Sequence, residues 1–490
     1  MNRMTGYRNN RLFVDALASD AVAAGARKIT VIEGNNFPVL LCTAHTAQWL
    51  QACTFAAVFI FLILLQRIYN NMQVHKFGGA SLQSVERFGQ VATIIETAVA
   101  RPSVIVISAM GKTTNALEKV AAAFFEQRNA DALQLFDQVK QQHLTTAKYL
   151  LVLEYHACVA QFNDFFTEAE WLLHDKPVRD FDYYYDQLVC IGELLSSTLV
   201  SFYLKEKKIA NQWLDVRDIF RTDNNFREAT LDWDASLQQV QQQVQPLLTS
   251  NGLVVTQGFI GCTIDNESTT FGREGSDFSA AIFANMLDAE SQTIWKDVPS
   301  VMNADPKQFP NATPIYELSY EEVIEMAYYG AQVIHPKTIK PLYEKKIPLQ
   351  VKCFLDASLP GTVITRKRAH NLPPIIVKKT QQVLLEFMSR DYSFIGEHSV
   401  GQLYQLFEEE KIKPNLTQNG AIRFLAIFDQ NEEKLQRIAT KAEAWLNVML
   451  QKDLTLTTIR HYNDNIIAGM LGEHQPILMQ QTRETVQFVL

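Results

Sequence analysis

Several large functional classes are excluded by what the chain lacks. Its 490 residues hold only six cysteines, Cys42, Cys53, Cys158, Cys190, Cys262 and Cys353, with no CxxC or other metal spacing. They read as reduced, mostly buried thiols of a cytoplasmic protein. There is no long basic run and the net charge is −8, which argues against a nucleic-acid surface as the main function. No apolar segment follows the early Arg3, Arg8 and Arg11 in the manner of a secretory signal. At 47% hydrophobic and 20% charged residues, the composition is that of a globular chain, long enough for several domains and a large core.

One apolar run departs from the rest. Residues 55–65, FAAVFIFLILL, extend back to Trp49 only by admitting Gln51 and Thr54. That is shorter than the ~20 residues of a usual membrane-spanning helix. Two expectations follow for residues 1–71: an atypical extension associated with a membrane through 49–65, or a mis-assigned start with Met72 as the initiator.

From Val74 onward, apolar strands alternate with helical segments, as at 104–108 (VIVIS) and 253–259 (LVVTQGF). This order predicts α/β layers on a mostly parallel sheet. In LSYEEVIEMAYYGAQVIHP, 318–336, Ser319 and Glu322 form a capping box, Gly330 ends the helix, and a new element starts at Pro336. Charge and proline in RKRAHNLPP predict a linker from 366, taken to 381. Beyond it the pattern is strand 383–388, helix 399–410, strands 412–417 and 421–428, helix 432–447 and strand 454–460. This βαββαβ module spans 382–462, and 463–490 supply part of a second.

Five clusters could carry chemistry. VHKFGGAS, 74–81, runs an apolar strand into Lys76 and then Gly78-Gly79. Two glycines admit backbone N–H groups close to an anion, and the lysine adds a point charge. The Walker A pattern places its lysine after the glycines, so this is a different phosphate motif. SAMGKTTN, 108–115, is either a capped strand-to-helix loop or a ligand loop using Thr113 and Thr114 at the carboxyl edge of the sheet. Glu193, in IGELLSS, is expected at the start of an apolar helix, either as a first-turn glutamate favouring the helix dipole or as a partner for a substrate ammonium. In TTFGREGSD, 269–277, Arg273 can grip a carboxylate bidentately at the start of an apolar helix, where Asp277 is either a cap or a functional group. WKDVPSVMNADPK, 295–307, offers Lys296, Asp297, Asp305 and Lys307 on a charged loop that is either merely solvated or binds nucleotide.

Taken in order, KFGGAS, SAMGKTTN, GELLSS, TQGFIG, GREGSD, KDVPSVMNADP and GAQVIHP resemble the motifs of the aspartate kinases, within the amino-acid kinase superfamily. The resemblance is strong over 73–365 and weaker to the C-terminus, where the βαββαβ pattern is similar to the ACT regulatory modules of that family. It implies an α/β catalytic domain over 72–365, with a mostly parallel sheet sandwiched by helices, and an ACT-type region over 382–490. It implies ATP-dependent phosphorylation of the β-carboxylate of L-aspartate, with ATP and Mg²⁺ and no direct protein ligand for the metal. Lys76 would contact the transferring phosphoryl group, and Asp277 would help organise that lysine and the phosphates, with Gly78 and Gly79 at the phosphates. Thr114, Glu193, Phe259, Arg273 and Ser276 would hold aspartate. Lys296, Asp297, Met302, Asp305, Lys307 and Gln332 would surround ATP. Lysine or threonine would act as effector on a homodimer or higher oligomer, contacting Asn415, Gln418 and Asn419 of the loop 413–420.

Three positions depart from the family pattern. Glu274 stands where glycine is common, Met302 where an aromatic packs near adenine, and Gln332 where some members place lysine. A kinase for glutamate or N-acetylglutamate is a rival reading. Glu193 suits a free ammonium and not an acetylated one.

Overall fold

The structure is a computed structural model that describes residues 29–33, 38–42, 72–331, 333–369 and 371–490. The chain falls into two compact units, Met1–Asn71 and Met72–Leu490. In the first, β1 (Ile29–Glu33) and β2 (Pro38–Cys42) pair antiparallel. The apolar run 49–65 lies outside the described residues.

The second unit begins with an eight-stranded sheet. Its strands are β3 (Gln73–Phe77), β4 (Ser103–Ile107), β5 (Gln212–Trp213), β6 (Leu253–Gln257), β9 (Ser291–Lys296), β12 (Glu317–Ser319), β13 (Leu349–Cys353) and β14 (Thr362–Thr365), in the spatial order β12-β14-β13-β9-β3-β4-β6-β5. Every neighbouring pair is parallel except β13 with β14. Val104 to Ile107 are all 0% exposed, as a β-branched run covered on both faces requires. In the sheet's register Phe77 faces Ile107 and Trp295, and Ile107 faces Gln257. Strands β3, β4, β6 and β9 therefore end together, and the loops that follow them share one carboxyl edge.

Between β4 and β6 lie α2 (Thr113–Phe125), α3 (Asn129–Leu150), α4 (Tyr155–His174) and α5 (Phe181–Glu206), after α1 (Val85–Thr97). Helix α5 is apolar and long enough to cross a membrane, but it is a core helix, buried against α2, β4 and β6. Its last turn serves its neighbour: Glu206 Oε2 accepts the N–H groups of Val152, Leu153 and Glu154 at 3.2, 2.9 and 3.0 Å, capping the start of α4. The short hairpin β7 (Ile260–Cys262) and β8 (Ser268–Thr270) leads into α6 (Gly275–Met286), which packs on β3, β4 and β9.

After the β10 (Val301–Met302) and β11 (Pro314–Ile315) pair come α7 (Tyr320–Tyr328) and α8 (Pro336–Lys345). Ser319 Oγ accepts the Glu322 N–H at 3.1 Å, but only this half of the expected capping box forms. The Glu322 carboxylate turns away to the buried Arg460, at 2.6 and 2.9 Å, and to His461 at 3.1 Å. Burial would raise the Glu322 pKa, but these partners hold it at about 2. This ion cluster joins α7 to the C-terminal sheet.

That sheet corrects the expected element lengths. β15 (Ile375–Ser389) begins inside the stretch 366–381 read as linker, and β18 (Leu446–Arg460) begins eight residues before the expected strand. Helices α9 (Glu397–Glu409) and α10 (Glu432–Ala442) stand near their expected positions, the latter ending sooner. With β16 (Leu416–Asn419), β17 (Arg423–Asp429), β19 (Leu478–Gln481) and β20 (Thr485–Val489), the order is β16-β17-β15-β18-β20-β19, antiparallel throughout. The stretches expected to form a complete and a partial module share the two long strands in one sheet, with a register shift between Lys379 and Leu384. Cys158, Cys190, Cys262 and Cys353 are free and buried.

Candidate active site

The loops at the carboxyl edge of β3, β4 and β6 are pressed together. A Cβ on Gly79 would lie 2.6 Å from the Ala109 carbonyl oxygen, and one on Gly258 2.7 Å from Ser276 Cα. Glycine is required at both positions for close approach of one loop to another. The Gly111 N–H donates to the Gly79 carbonyl at 3.0 Å, tying the first two loops. Lys76 leaves the end of β3 and pairs with Asp277 of α6, Nζ to Oδ1 2.6 Å, with side chains 13% and 4% exposed.

Around this pair is a cavity of about 760 Å³. It brings together Lys76, Gly79, Thr114, Glu193, Phe259, Arg273, Ser276 and Asp277 among the expected residues. Phe259 has φ +73°, and its N–H is held by Ser279 Oγ at 2.9 Å. Ser276 and Asp277 occupy the first turn of α6, whose N–H groups favour an anion.

Glu193 lies midway along α5 and not at a helix start, so the helix-dipole reading does not apply, and it is the most constrained of these groups. It is 3% exposed; Oε1 accepts the Ala109 N–H at 3.4 Å and Oε2 has no partner among the described residues. Burial pushes its pKa up to about 8, against the opposing effects of the Ala109 amide and the Lys76 charge. A buried carboxylate with a free oxygen lining a cavity is arranged to receive a cation. The exposed guanidinium of Arg273 faces the same cavity and suits a carboxylate.

Glu274 occupies the glycine-like position with φ +55°. Its Oε2 accepts the His335 N–H at 2.8 Å, so glutamate tolerates the left-handed conformation with its side chain anchored.

The residues expected around the nucleotide are not part of this cavity. Lys296, at the end of β9, donates to the Val333 carbonyl. Asp305 accepts the Lys307 N–H at 3.0 Å in a local turn, and Asp297, Asp305 and Lys307 are exposed. Met302 Sδ accepts from Ser300 Oγ at 3.6 Å. Gly78 is outside the lining, and Gln332 lies outside the described residues. In the C-terminal sheet, the Asn415 amide donates to Gln382 at 2.8 Å and Asp429 at 3.0 Å and accepts from Lys379 at 2.8 Å, while Gln418 and Asn419 are exposed on β16.

Sequence reasoning missed the far wall of the cavity. Asp182 and Tyr185 reach it from α5, the segment 225–228 crosses it, and Lys411 enters from the turn after α9. Arg227 (φ +69°) pairs with Asp182 at 3.0 Å and lies 4.5 Å from the centre of the Tyr185 ring. Polar residues at 182, 185, 186 and 193 on a largely apolar helix were the available signal.

A model of the amino acid kinase family matches residues 71–353. Among curated proteins, the chain is 32% identical over 338 residues to lysine-sensitive aspartokinase 3 of Escherichia coli (strain K12), covering 68% of this chain and 72% of that one. It is 31% identical over 301 residues to the maize bifunctional aspartokinase/homoserine dehydrogenase 1, but spans only 32% of that protein, and it spans 63% of aspartokinase 1 of Arabidopsis thaliana. In fold it is similar to E. coli aspartokinase III solved with lysine and aspartate, at a TM-score of 0.71 and 24% identity, covering 86% of this chain and 96% of that one. The chain belongs to the amino acid kinase family and, within it, to the aspartokinases.

Proposed function

We propose that the chain transfers the γ-phosphoryl group of ATP to the β-carboxylate of L-aspartate, giving 4-phospho-L-aspartate, the entry step toward lysine, threonine and methionine. The observation that carries this reading is the buried Glu193 carboxylate, with its free oxygen, in one cavity with Arg273 and the Lys76–Asp277 pair. Glu193 takes the ammonium of the amino acid and Arg273 its α-carboxylate. The β-carboxylate is then the end left to react. Its reference pKa is ~3.9, so it is ionised at neutral pH and needs no general base.

The chemical difficulty is the approach of one anion to another. Lys76, the amide at Gly79 and the N-terminus of α6 place positive potential where the phosphoryl group must sit, and Asp277 holds the lysine in position. Positioning supplies the rest. Mg²⁺ is carried on the nucleotide phosphates, with no direct protein ligand. The nucleotide lies toward the loops after β9 and before α8, near Lys296, Asp297, Met302, Asp305 and Lys307. The C-terminal sheet serves regulation by lysine or threonine, in a homodimer or higher oligomer.

Hydroxylamine trapping tests the activity. An acyl phosphate yields a coloured hydroxamate, and signal is expected only with ATP and aspartate together. Hydroxamate from another carboxylate but none from aspartate would sink the assignment. Absence of any kinetic or thermal response to either amino acid would remove the regulatory part.

A further inference from the structure

We propose that Asp186 is the positioning residue that sets the length of the acceptor site, and with it the preference for aspartate over glutamate; this rests on the acceptor reading above. The Asp186 side chain is 0% exposed and does not line the cavity. Oδ2 accepts the Arg227 N–H at 2.9 Å and the Thr270 N–H at 2.8 Å, and Oδ1 accepts the Thr270 hydroxyl at 2.7 Å. Those donors belong to two segments that together form the cavity wall. They are also joined to each other: the Ala229 N–H donates to the Thr270 carbonyl at 2.9 Å, and a Cβ on Gly272 would lie 2.9 Å from the Arg227 carbonyl oxygen. Arg273 follows Gly272 directly.

Asp186 also precedes Glu193 by seven residues on α5, about two turns along one face of the helix. A single rigid helix therefore carries the ammonium partner and the pin that holds the Arg273 wall. With the ammonium and α-carboxylate of an amino acid engaged at these two points, its side-chain carboxylate has a fixed reach toward Lys76. One more carbon changes that reach by roughly 1.5 Å. A displacement of ~1 Å can cost ~100-fold in rate.

The pin works by geometry and not by charge. The Arg227 guanidinium is directed to Asp182, and what Asp186 holds is the Arg227 backbone. An asparagine at this position can serve: its oxygen accepts both N–H groups and its amide donates to the Thr270 hydroxyl oxygen.

Steady-state kinetics of the full chain, with aspartate and with glutamate as acceptor, test this. Asp186→Ala is expected to raise KM for aspartate by ~10- to 100-fold and leave KM for ATP within about twofold. It should also lower the ratio of kcat/KM for aspartate over glutamate by at least ~10-fold. Asp186→Asn should stay within about threefold of the parent. A folded Asp186→Ala protein with unchanged aspartate KM and selectivity overturns the proposal, and so does an Asn variant as impaired as the Ala variant. If Asp186→Ala does not fold, Thr270→Val removes only the hydroxyl bond. It should raise aspartate KM by ~3- to 10-fold with a loss of selectivity, and no change there overturns the proposal equally. Failure of the parent protein to phosphorylate aspartate would instead count against the activity itself, and would be seen before any variant is made.

Discussion

On the proposed acceptor side of the site, Glu193 and Asp277 are each 3% exposed, and Gly79 after β3 meets the loop after β4, and Gly258 after β6 the start of α6, at backbone contact distance. On the proposed nucleotide side, Asp297, Asp305 and Lys307 are exposed, and Lys296 is occupied with a backbone carbonyl. The contrast fits what each side would bind. A small zwitterion must be told from its homologues, and that calls for buried polar groups held at fixed distances. A triphosphate offers a large delocalised charge, which lysines on loops can meet without such fixed geometry.

The largest expected effect tests this contrast at its centre. Lys76→Ala removes the cation beside the transferring group and leaves Asp277 buried without its partner. A loss of ~10³-fold in kcat is expected, with a smaller change in either KM. Lys296→Ala should raise KM for ATP by ~10-fold and leave aspartate KM unchanged. Equal kcat losses in the two variants would show that the sides are not divided as described.

The same contrast governs what could be read before folding. The residues proposed for the acceptor stand next to strand ends, glycines and helix starts, which are local signals, so Lys76, Glu193, Arg273 and Asp277 could be singled out one motif at a time, and the fold brings them to one cavity. Asp186 could not be, because its donors lie 41 and 84 residues away and its side chain has no meaning without them. Gly79 was singled out for an anion site, and its smallness serves a crossing with the Ala109 carbonyl. The long strands β15 and β18 were hidden by their polar centres, TQQ and QKD, where the ladder shifts register.

Glu193 gives the second effect. Its raised pKa, about 8, means that the free enzyme holds a proton there at pH 7. For stability the sign is that of an acid raised on folding: its contribution is fully present below about 4.5 and is lost as pH rises through about 8. For binding the sign reverses, because the ammonium favours the carboxylate form. Aspartate binding at pH 7 should release close to one proton, read from calorimetry in buffers of different ionisation enthalpy, and affinity should rise up to about pH 8. Glu193→Gln should abolish the release and raise aspartate KM by ~100-fold, with little change for ATP. Proton release unchanged in that variant would place the titrating group elsewhere.

The smallest effect concerns Glu274, which links the two sides through the His335 N–H, beside the Lys337 Nζ bond to the Phe271 carbonyl at 3.0 Å. Two terms oppose each other here. A left-handed φ costs an L-residue about 1 kcal/mol, and the hydrogen bond from His335 to a charged oxygen returns about 1.5 kcal/mol. Glu274→Gly removes both and should leave stability nearly unchanged. Glu274→Gln keeps both, with a weaker neutral acceptor. Glu274→Ala keeps the strain and loses the bond, so it should be the least stable of the three, by about 1–2 kcal/mol in denaturant unfolding. Glycine and alanine variants of equal stability would mean that the backbone at Glu274 is not strained. If, in addition, aspartate KM moves by more than ~5-fold in the glycine variant alone, the anchor acts on the position of Arg273 and not only on the stability of its loop.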